Sequence, residues 1–94
     1  MAYSRNARVV VPEGVLVREL GGEAVILNLN SEAYFGLDDV GTRMWSVLTA
    51  AESIEAACRS LLDEYDVTPE KLSEDLDALI DKLVAQGLLE VVSG

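Results

Sequence analysis

Few residues of this 94-residue chain could carry chemistry, and their spacing does not indicate a reaction. Histidine is absent, which removes the Cys–His and Ser–His catalytic pairs and every histidine-ligated metal site. The single cysteine, Cys58, lies at helical spacing with apolar residues, so we predict a buried structural thiol. Asp38 and Asp39 are adjacent carboxylates, but a helix start explains both of them. We therefore expect no enzymatic activity.

The remaining acids and the paired glycines do not form a ligand site by sequence either. Glu74, Asp77 and Asp81 follow the i, i+3, i+7 spacing that is typical of a solvated helix face. A calcium loop would need alternating oxygen ligands around a glycine, and no segment has that spacing. Gly21-Gly22 lacks the rest of a phosphate-binding loop. We expect neither a metal nor a cofactor.

The charge balance is strongly acidic, with seventeen Asp and Glu against seven Lys and Arg and a formal net charge of −10. A nucleic-acid partner is disfavoured, because phosphate contacts need clustered Lys and Arg. The acidity serves either solubility or a basic partner, and both explanations stay open. The apolar runs are too short to span a membrane, and the N-terminus does not resemble a signal peptide. We expect a cytoplasmic protein that does not contact a membrane.

The first third of the chain has strand patterns. Two or three antiparallel strands are predicted, at about 8–11, 15–20 and 23–29. Gly21-Gly22 is predicted to be a two-residue hairpin loop, because glycine tolerates the positive φ angles of a type I′ turn. Residues 33–37 are predicted to be a short extended or irregular piece.

The rest of the chain has helical periodicity. Helices are predicted at about 39–50, 54–65 and 69–86, followed by Gly87 as a C′ residue and a short strand within 88–92. The predicted N-caps are Asp38 or Asp39, Ser53, and Thr68 before Pro69. No linker or repeat divides the chain. We expect one α+β domain over residues 1–94.

The strand at 23–29 raises the question of what covers it. If the glycine loop sets the register, the backbone groups of Ala24, Ile26 and Asn28 point away from the second strand. No lysine, proline or bulge protects that side, so an extended peptide could add to it as a further strand. Alternatively, the strand at 8–11 or a helix lies on this edge. Both faces of the hairpin also begin apolar, and three short helices are unable to cover both.

Two segments carry a family resemblance. The first is EAVILNLNSEAYFGLDDVGTRMW, from Glu23 to Trp45, and the second is DLDALIDKLVAQGLL, from Asp75 to Leu89. Together they resemble the PqqD family over nearly the whole chain, from about Val15 to Val91. The resemblance implies a winged-helix-like fold with a three-stranded antiparallel sheet followed by three helices.

The same resemblance implies a function. Members of this family are recognition elements of pathways that make ribosomally synthesised and post-translationally modified peptides. They bind the leader of the precursor peptide as an antiparallel strand on the third strand, in a cleft closed by the third helix. Carried onto this sequence, the docking strand comprises Ala24, Val25, Ile26, Leu27, Asn28 and Leu29. The opposite wall comprises Leu72, Asp75, Leu76, Leu79 and Leu83. Tyr34 and Phe35 are predicted to pack under the helices rather than to contact the leader.

The resemblance also implies the partners. Such proteins do no chemistry and deliver the precursor peptide to an enzyme such as a leader protease, a cyclase or a radical enzyme. The run from Asn28 to Leu37 is more similar to the group that includes lasso-peptide pathways than to the members that serve pyrroloquinoline quinone synthesis. Two alternatives remain: a winged-helix nucleic-acid binder, and a purely structural subunit that stabilises a larger enzyme.

Overall fold

Three helices and two small antiparallel sheets make up the computed structural model, which describes residues 3–93. The strands are β1 (Arg8–Val10), β2 (Val15–Leu20), β3 (Glu23–Asn28), β4 (Tyr34–Leu37) and, at the end of the chain, β5 (Glu90–Val92). The helices are α1 (Asp39–Ala50), α2 (Ile54–Glu64) and α3 (Pro69–Ala85). The main sheet has the order β2-β3-β4, and β1 pairs with β5. The predicted α+β fold, with a three-stranded antiparallel sheet followed by three helices, is confirmed.

The β2–β3 hairpin has the register that its glycine loop predicts. Gly21 and Gly22 have φ angles of 62° and 84°, as a type I′ turn requires. Leu20 lies opposite Glu23, and the pairing continues without a bulge to Val15 and Asn28. Beyond the strands, the Leu29 N–H donates to the Gly14 carbonyl at 2.9 Å.

The segments that make up the main sheet are not the same three as the predicted strands. The segment predicted at 8–11 does not join the main sheet, because β1 pairs with β5 instead. It is held there by the preceding residues, where the Ala7 carbonyl accepts a hydrogen bond from the Ile54 N–H at 2.8 Å. The segment 33–37, predicted to be extended or irregular, forms β4 and pairs with β3. The third strand of the sheet is therefore β4.

The helix caps are those that the sequence indicates. Oxygens of the Asp38, Ser53 and Thr68 side chains accept hydrogen bonds from backbone N–H groups in the first turns of α1, α2 and α3. Pro69 opens α3, where its missing N–H leaves no bond unmade. After α3, Gly87 has a φ of 72° and reverses the chain.

The core lies between the helices and one face of the main sheet. Ile26 on β3 is fully buried, as are Leu76 and Ile80 on α3. The other face of the sheet is left open, and Leu16 and Val25 remain 49% and 44% exposed there. The helices thus cover one face only, as expected. Cys58 is half-buried and packs against the core, and burial raises the pKa of its thiol.

The N-terminal segment lies against α3 through polar contacts. Arg5 forms an ion pair with Asp77 at 3.1 Å and donates to the Ser73 hydroxyl at 2.7 Å. The Tyr3 hydroxyl donates to Asp81, and this hydrogen bond raises the pKa of Tyr3 to about 12. The same bond lowers the pKa of Asp81. No helix within residues 3–93 is long and apolar enough to cross a membrane.

Candidate functional site: a groove between β4 and α3

The predicted open edge of the strand at 23–29 is closed in the structure. β4 pairs with β3 from Ala24 opposite Leu37 to Leu27 opposite Tyr34. The Asn28 N–H also points to this side and donates to the Ala33 carbonyl at 2.8 Å. The backbone groups of Ala24, Ile26 and Asn28 thus point away from β2, as predicted, but β4 occupies that side. Residues 24–28 form the middle strand and cannot accept another strand on either side.

On this side of the sheet, β4 is the edge strand. Because Ala24 and Ile26 lie opposite Leu37 and Phe35, these two residues of β4 direct their backbone groups toward β3. The N–H and C=O groups of the alternate residues, Tyr34 and Gly36, then point away from the sheet. Neither N–H has a backbone partner within residues 3–93. A Cβ built on Gly36 would meet no atom within 4 Å, so the outer face of the sheet is uncovered at this residue.

A groove of about 300 Å³ lies between this edge and α3. The β4 wall is formed by Phe35, Gly36 and Leu37, and the start of α1 closes the groove at Asp38 and Gly41. The residues of α3 that form the opposite wall are Asp75, Ala78, Leu79 and Lys82. One wall therefore offers backbone hydrogen-bonding groups, and the other offers apolar surface between two charged side chains.

The predicted wall residues of α3 divide into two groups. Asp75 and Leu79 line the groove, although no observation tests their contact with a peptide. The other three leucines belong to the core: Leu72 is 2% exposed, and Leu76 and Leu83 are completely buried. They lie on the stripe of α3 that belongs to the hydrophobic core, while the adjacent stripe lines the groove. An exposed peptide would not reach them.

The structure adds groove residues that the sequence prediction omitted. Ala78 and Lys82 follow Asp75 at i+3 and i+7, so helical spacing alone could have indicated them. Phe35, Gly36 and Leu37 were missed because the segment was not recognised as a strand. Phe35 is half-buried against the core, as predicted, whereas Tyr34 is 72% exposed and does not pack under the helices.

Asn28 connects the two walls of the groove at one end. Its side-chain Nδ2 donates to the Gly87 carbonyl at 2.9 Å, which links the end of β3 to the residue that reverses the chain after α3. Its Oδ1 accepts from the N–H groups of Asn30 and Ser31 at 2.8 and 3.2 Å. These bonds fix the turn that leads into β4. One buried amide thereby links the turn before β4 to the residue after α3.

At the other end of β4, the Thr42 side chain bridges the backbones of β3 and β4. Its Oγ1 accepts a hydrogen bond from the Ala24 N–H at 2.8 Å and donates to the Leu37 carbonyl at 3.4 Å. The hydroxyl thus stands between two backbone groups that would otherwise bond directly. This contact ties β3 and β4 to the first turn of α1.

The charges of the groove are unevenly paired. Asp75 forms an ion pair with Lys71 at 3.2 Å, and Asp38 is occupied as the cap of α1. Lys82 forms no ion pair with any residue that the structure describes, so its ammonium is available to an acidic group in the groove. Within residues 3–93 no three His, Cys, Asp or Glu side chains are grouped to hold a metal ion. The arrangement suits binding of an extended peptide.

Comparisons with known proteins agree with this geometry. The structure of TbiB1 in complex with the TbiA(beta) leader peptide matches with a TM-score of 0.79 and 32% identity, over 85% of this chain and 93% of that chain. A lasso peptide synthetase B1 complexed with the leader peptide matches with a TM-score of 0.76 over 90% of this chain and 98% of that chain. At 22% identity, this second match shows a shared fold. The corresponding search of curated proteins gives no match.

The family model described as coenzyme PQQ synthesis protein D (PqqD) matches residues 23–89. That span includes β3, β4, all three helices and both walls of the groove. The resemblance noted in the sequence is thus confirmed, and the chain belongs to the PqqD family.

Proposed function

We propose that this protein binds the leader segment of a ribosomally synthesised precursor peptide by strand addition, and presents it to an enzyme. The observation that carries the proposal is the unpaired edge of β4 facing the groove along α3. The related TbiB1 is described with a leader peptide bound, and its structure matches 85% of this chain. The docking strand of the proposal is β4, not the strand at 23–29.

The backbone of β4 limits how a peptide would bind. An antiparallel peptide would exchange hydrogen bonds with the N–H and C=O groups of Tyr34 and Gly36, which gives four bonds at most. Each bond contributes about 1 kcal/mol net, so backbone pairing alone gives only modest affinity. The peptide residues opposite Phe35 and Leu37 would direct their side chains to the inner side of the sheet. Affinity and selectivity therefore depend on contacts made with α3.

The α3 wall predicts the chemistry of a fitting leader. Leu79 and Ala78 offer apolar surface to the inward-facing side chains, and truncating apolar groups in such an interface usually lowers affinity. Lys82 favours a carboxylate in the peptide, since its ammonium has no acidic partner within residues 3–93. We expect a leader with apolar residues at alternate positions and an acidic residue that reaches Lys82.

The role in the pathway follows from what the groove can do. It can hold a peptide in an extended conformation, and this makes the protein an adaptor. The enzyme that receives the peptide would be a leader protease, a cyclase or another modifying enzyme of lasso-type or related biosynthesis. The groove does not favour the nucleic-acid alternative, because Asp38 and Asp75 lie where phosphates would have to approach.

The test replaces Gly36 with proline. Its N–H points outward, so Gly36→Pro removes a bond to the peptide while the bonds between β4 and β3 remain. The probe is a fluorescein-labelled leader segment of a candidate precursor peptide, and the measurement is fluorescence anisotropy. We expect the Kd to rise at least about tenfold, which corresponds to about 1.4 kcal/mol.

The matched control is Val17→Pro, which makes the same change on the opposite edge of the sheet. This variant should bind the labelled peptide with the affinity of the unchanged protein. If Gly36→Pro retains its far-UV circular dichroism and binds as tightly as the control, strand addition to β4 is wrong. An equal loss of affinity in both variants would also contradict the proposed site.

A further inference from the structure

The sheet has a second free edge, along β2. The glycine loop sets which residues of β2 form hydrogen bonds with β3, and these are Leu16, Arg18 and Leu20. The backbone groups of Val17 and Glu19 consequently point outward, and within residues 3–93 they have no backbone partner. The Val15 carbonyl also points outward, while its N–H donates to the Pro12 carbonyl at 3.3 Å.

This edge is charged at Arg18 and Glu19, but it has no proline, lysine or bulge, and no element within the described residues covers it. Every residue of β2 except Val15 is exposed, and Val17 and Leu20 are 41% and 84% exposed. Helix α1 packs on β3 and β4 and has no comparable contact with β2, so the strand extends past the helical layer. Such an edge presents unpaired N–H and C=O groups to which another strand can bond.

We propose that β2 pairs in antiparallel fashion with β2 of a second copy of this chain, about a two-fold axis at Val17. The two main sheets then form one sheet of six strands. Val17 of each copy exchanges two hydrogen bonds with Val17 of the other. The Glu19 N–H of each copy donates to the Val15 carbonyl of the other, which gives four intermolecular backbone bonds.

The charged side chains favour this register over the two registers that neighbour it. With the axis at Val17, Arg18 lies opposite Leu16 of the second copy, and Glu19 lies opposite Val15. Moving the axis one residue toward the loop, to Arg18, would place two arginines directly opposite each other. Moving it one residue the other way, to Leu16, would place Glu19 opposite Glu13 of the second copy. Like charges directly opposite are unfavourable, so both neighbouring registers are disfavoured relative to the axis at Val17.

The same arrangement leaves peptide binding unobstructed. The two β4 strands lie at the outer ends of the six-stranded sheet, so each groove stays open. Each copy carries a formal charge of −10, and the two copies repel each other at long range. Salt screens this repulsion but leaves the backbone bonds largely unaffected. Dimerisation should therefore strengthen as sodium chloride is raised from 20 to 300 mM.

The first test is the mass in solution, measured by sedimentation equilibrium between about 5 and 200 µM. The unchanged protein should approach twice the monomer mass of 10.1 kDa at the upper end of this range. Val17→Pro and Val17→Lys should remain monomeric at every concentration, because each blocks the edge in a different way. Gly36→Pro is the matched control and should dimerise normally. A monomeric unchanged protein, or dimers in both Val17 variants, would overturn the proposal.

The second test examines the register by cross-linking in a Cys58→Ser background. Directly paired residues have Cα atoms about 5.5 Å apart, within the range that a disulfide spans. Val17→Cys should therefore give a covalent dimer on mild oxidation. Two copies of Glu19→Cys would be displaced by four residues, about 13 Å along the strand, and should not cross-link. Equal cross-linking of the two variants, or none with Val17→Cys, would refute the axis at Val17.

These outcomes are separate from those of the leader experiment. Gly36→Pro affects peptide binding and leaves the mass unchanged, while Val17→Pro does the reverse. The dimer can therefore fail while leader binding stands, and leader binding can fail while the dimer stands.

Discussion

Two leucines on α3, Leu76 and Leu79, should separate folding from recognition. They are three residues apart and chemically identical, but Leu76 is completely buried whereas Leu79 is half-buried and lines the groove. We expect Leu76→Ala to lower the free energy of unfolding. We expect Leu79→Ala mainly to lower the affinity for the leader.

The size of each effect follows from burial. Replacing a fully buried leucine with alanine costs about 2–5 kcal/mol, from lost transfer energy and the remaining cavity. A 94-residue domain has a total stability of about 5–14 kcal/mol, so Leu76→Ala removes a large part of it. With a urea m-value of about 1.5 kcal/mol per molar, a loss of 3 kcal/mol lowers the unfolding midpoint by about 2 M.

Leu79→Ala removes less buried surface, and we expect its stability to fall by about 1 kcal/mol. Its affinity for the labelled leader should fall about tenfold, which equals about 1.4 kcal/mol. The assays are urea unfolding followed by Trp45 fluorescence, and anisotropy under conditions where both variants are folded. Equal losses of stability in the two variants would refute the division of α3 into a core stripe and a groove stripe. So would full leader affinity in Leu79→Ala.

Three further outcomes are expected. Asn28→Ala should lower stability by about 1–3 kcal/mol in urea unfolding, because the Gly87 carbonyl loses its donor. Spectrophotometric titration should find Tyr3 ionising near pH 12, and this late step should be absent in Tyr3→Phe. Because the pKa of Tyr3 is raised in the folded state, its hydrogen bond to Asp81 stabilises the fold below about pH 10. That contribution should be lost as the pH rises from 10 to 12. Iodoacetamide should modify Cys58 at pH 8 more slowly than a free thiol, because burial raises its pKa.

Features set by neighbouring residues could be predicted from the sequence. The glycine loop fixes the β2–β3 register, because a two-residue turn allows one pairing of the flanking strands. The three helix caps are bonds between residues three apart, so sequence spacing reveals them. Helix bounds consequently agree with the structure to within one residue.

Features set by contacts between distant segments were harder to predict. Residues 34–37 have no clear alternation, and their strand conformation depends on pairing with β3. Because this strand was missed, the docking edge was predicted on β3 instead of β4. The periodicity of α3 identified an apolar stripe, but it does not distinguish leucines that face the core from those that border the groove. That distinction depends on where β4 lies.

The buried amide of Asn28 has a consequence for the thermodynamics of recognition. It links the turn before β4 to the residue after α3, so the two walls of the groove keep their spacing without a peptide. A preformed site loses little conformational entropy on binding, and most of the ordering cost then falls on the flexible leader. Stiffening the leader should therefore improve affinity more than stiffening the protein. Conversely, loss of the Asn28 amide should weaken leader binding although the side chain does not line the groove, because the walls would first have to be ordered.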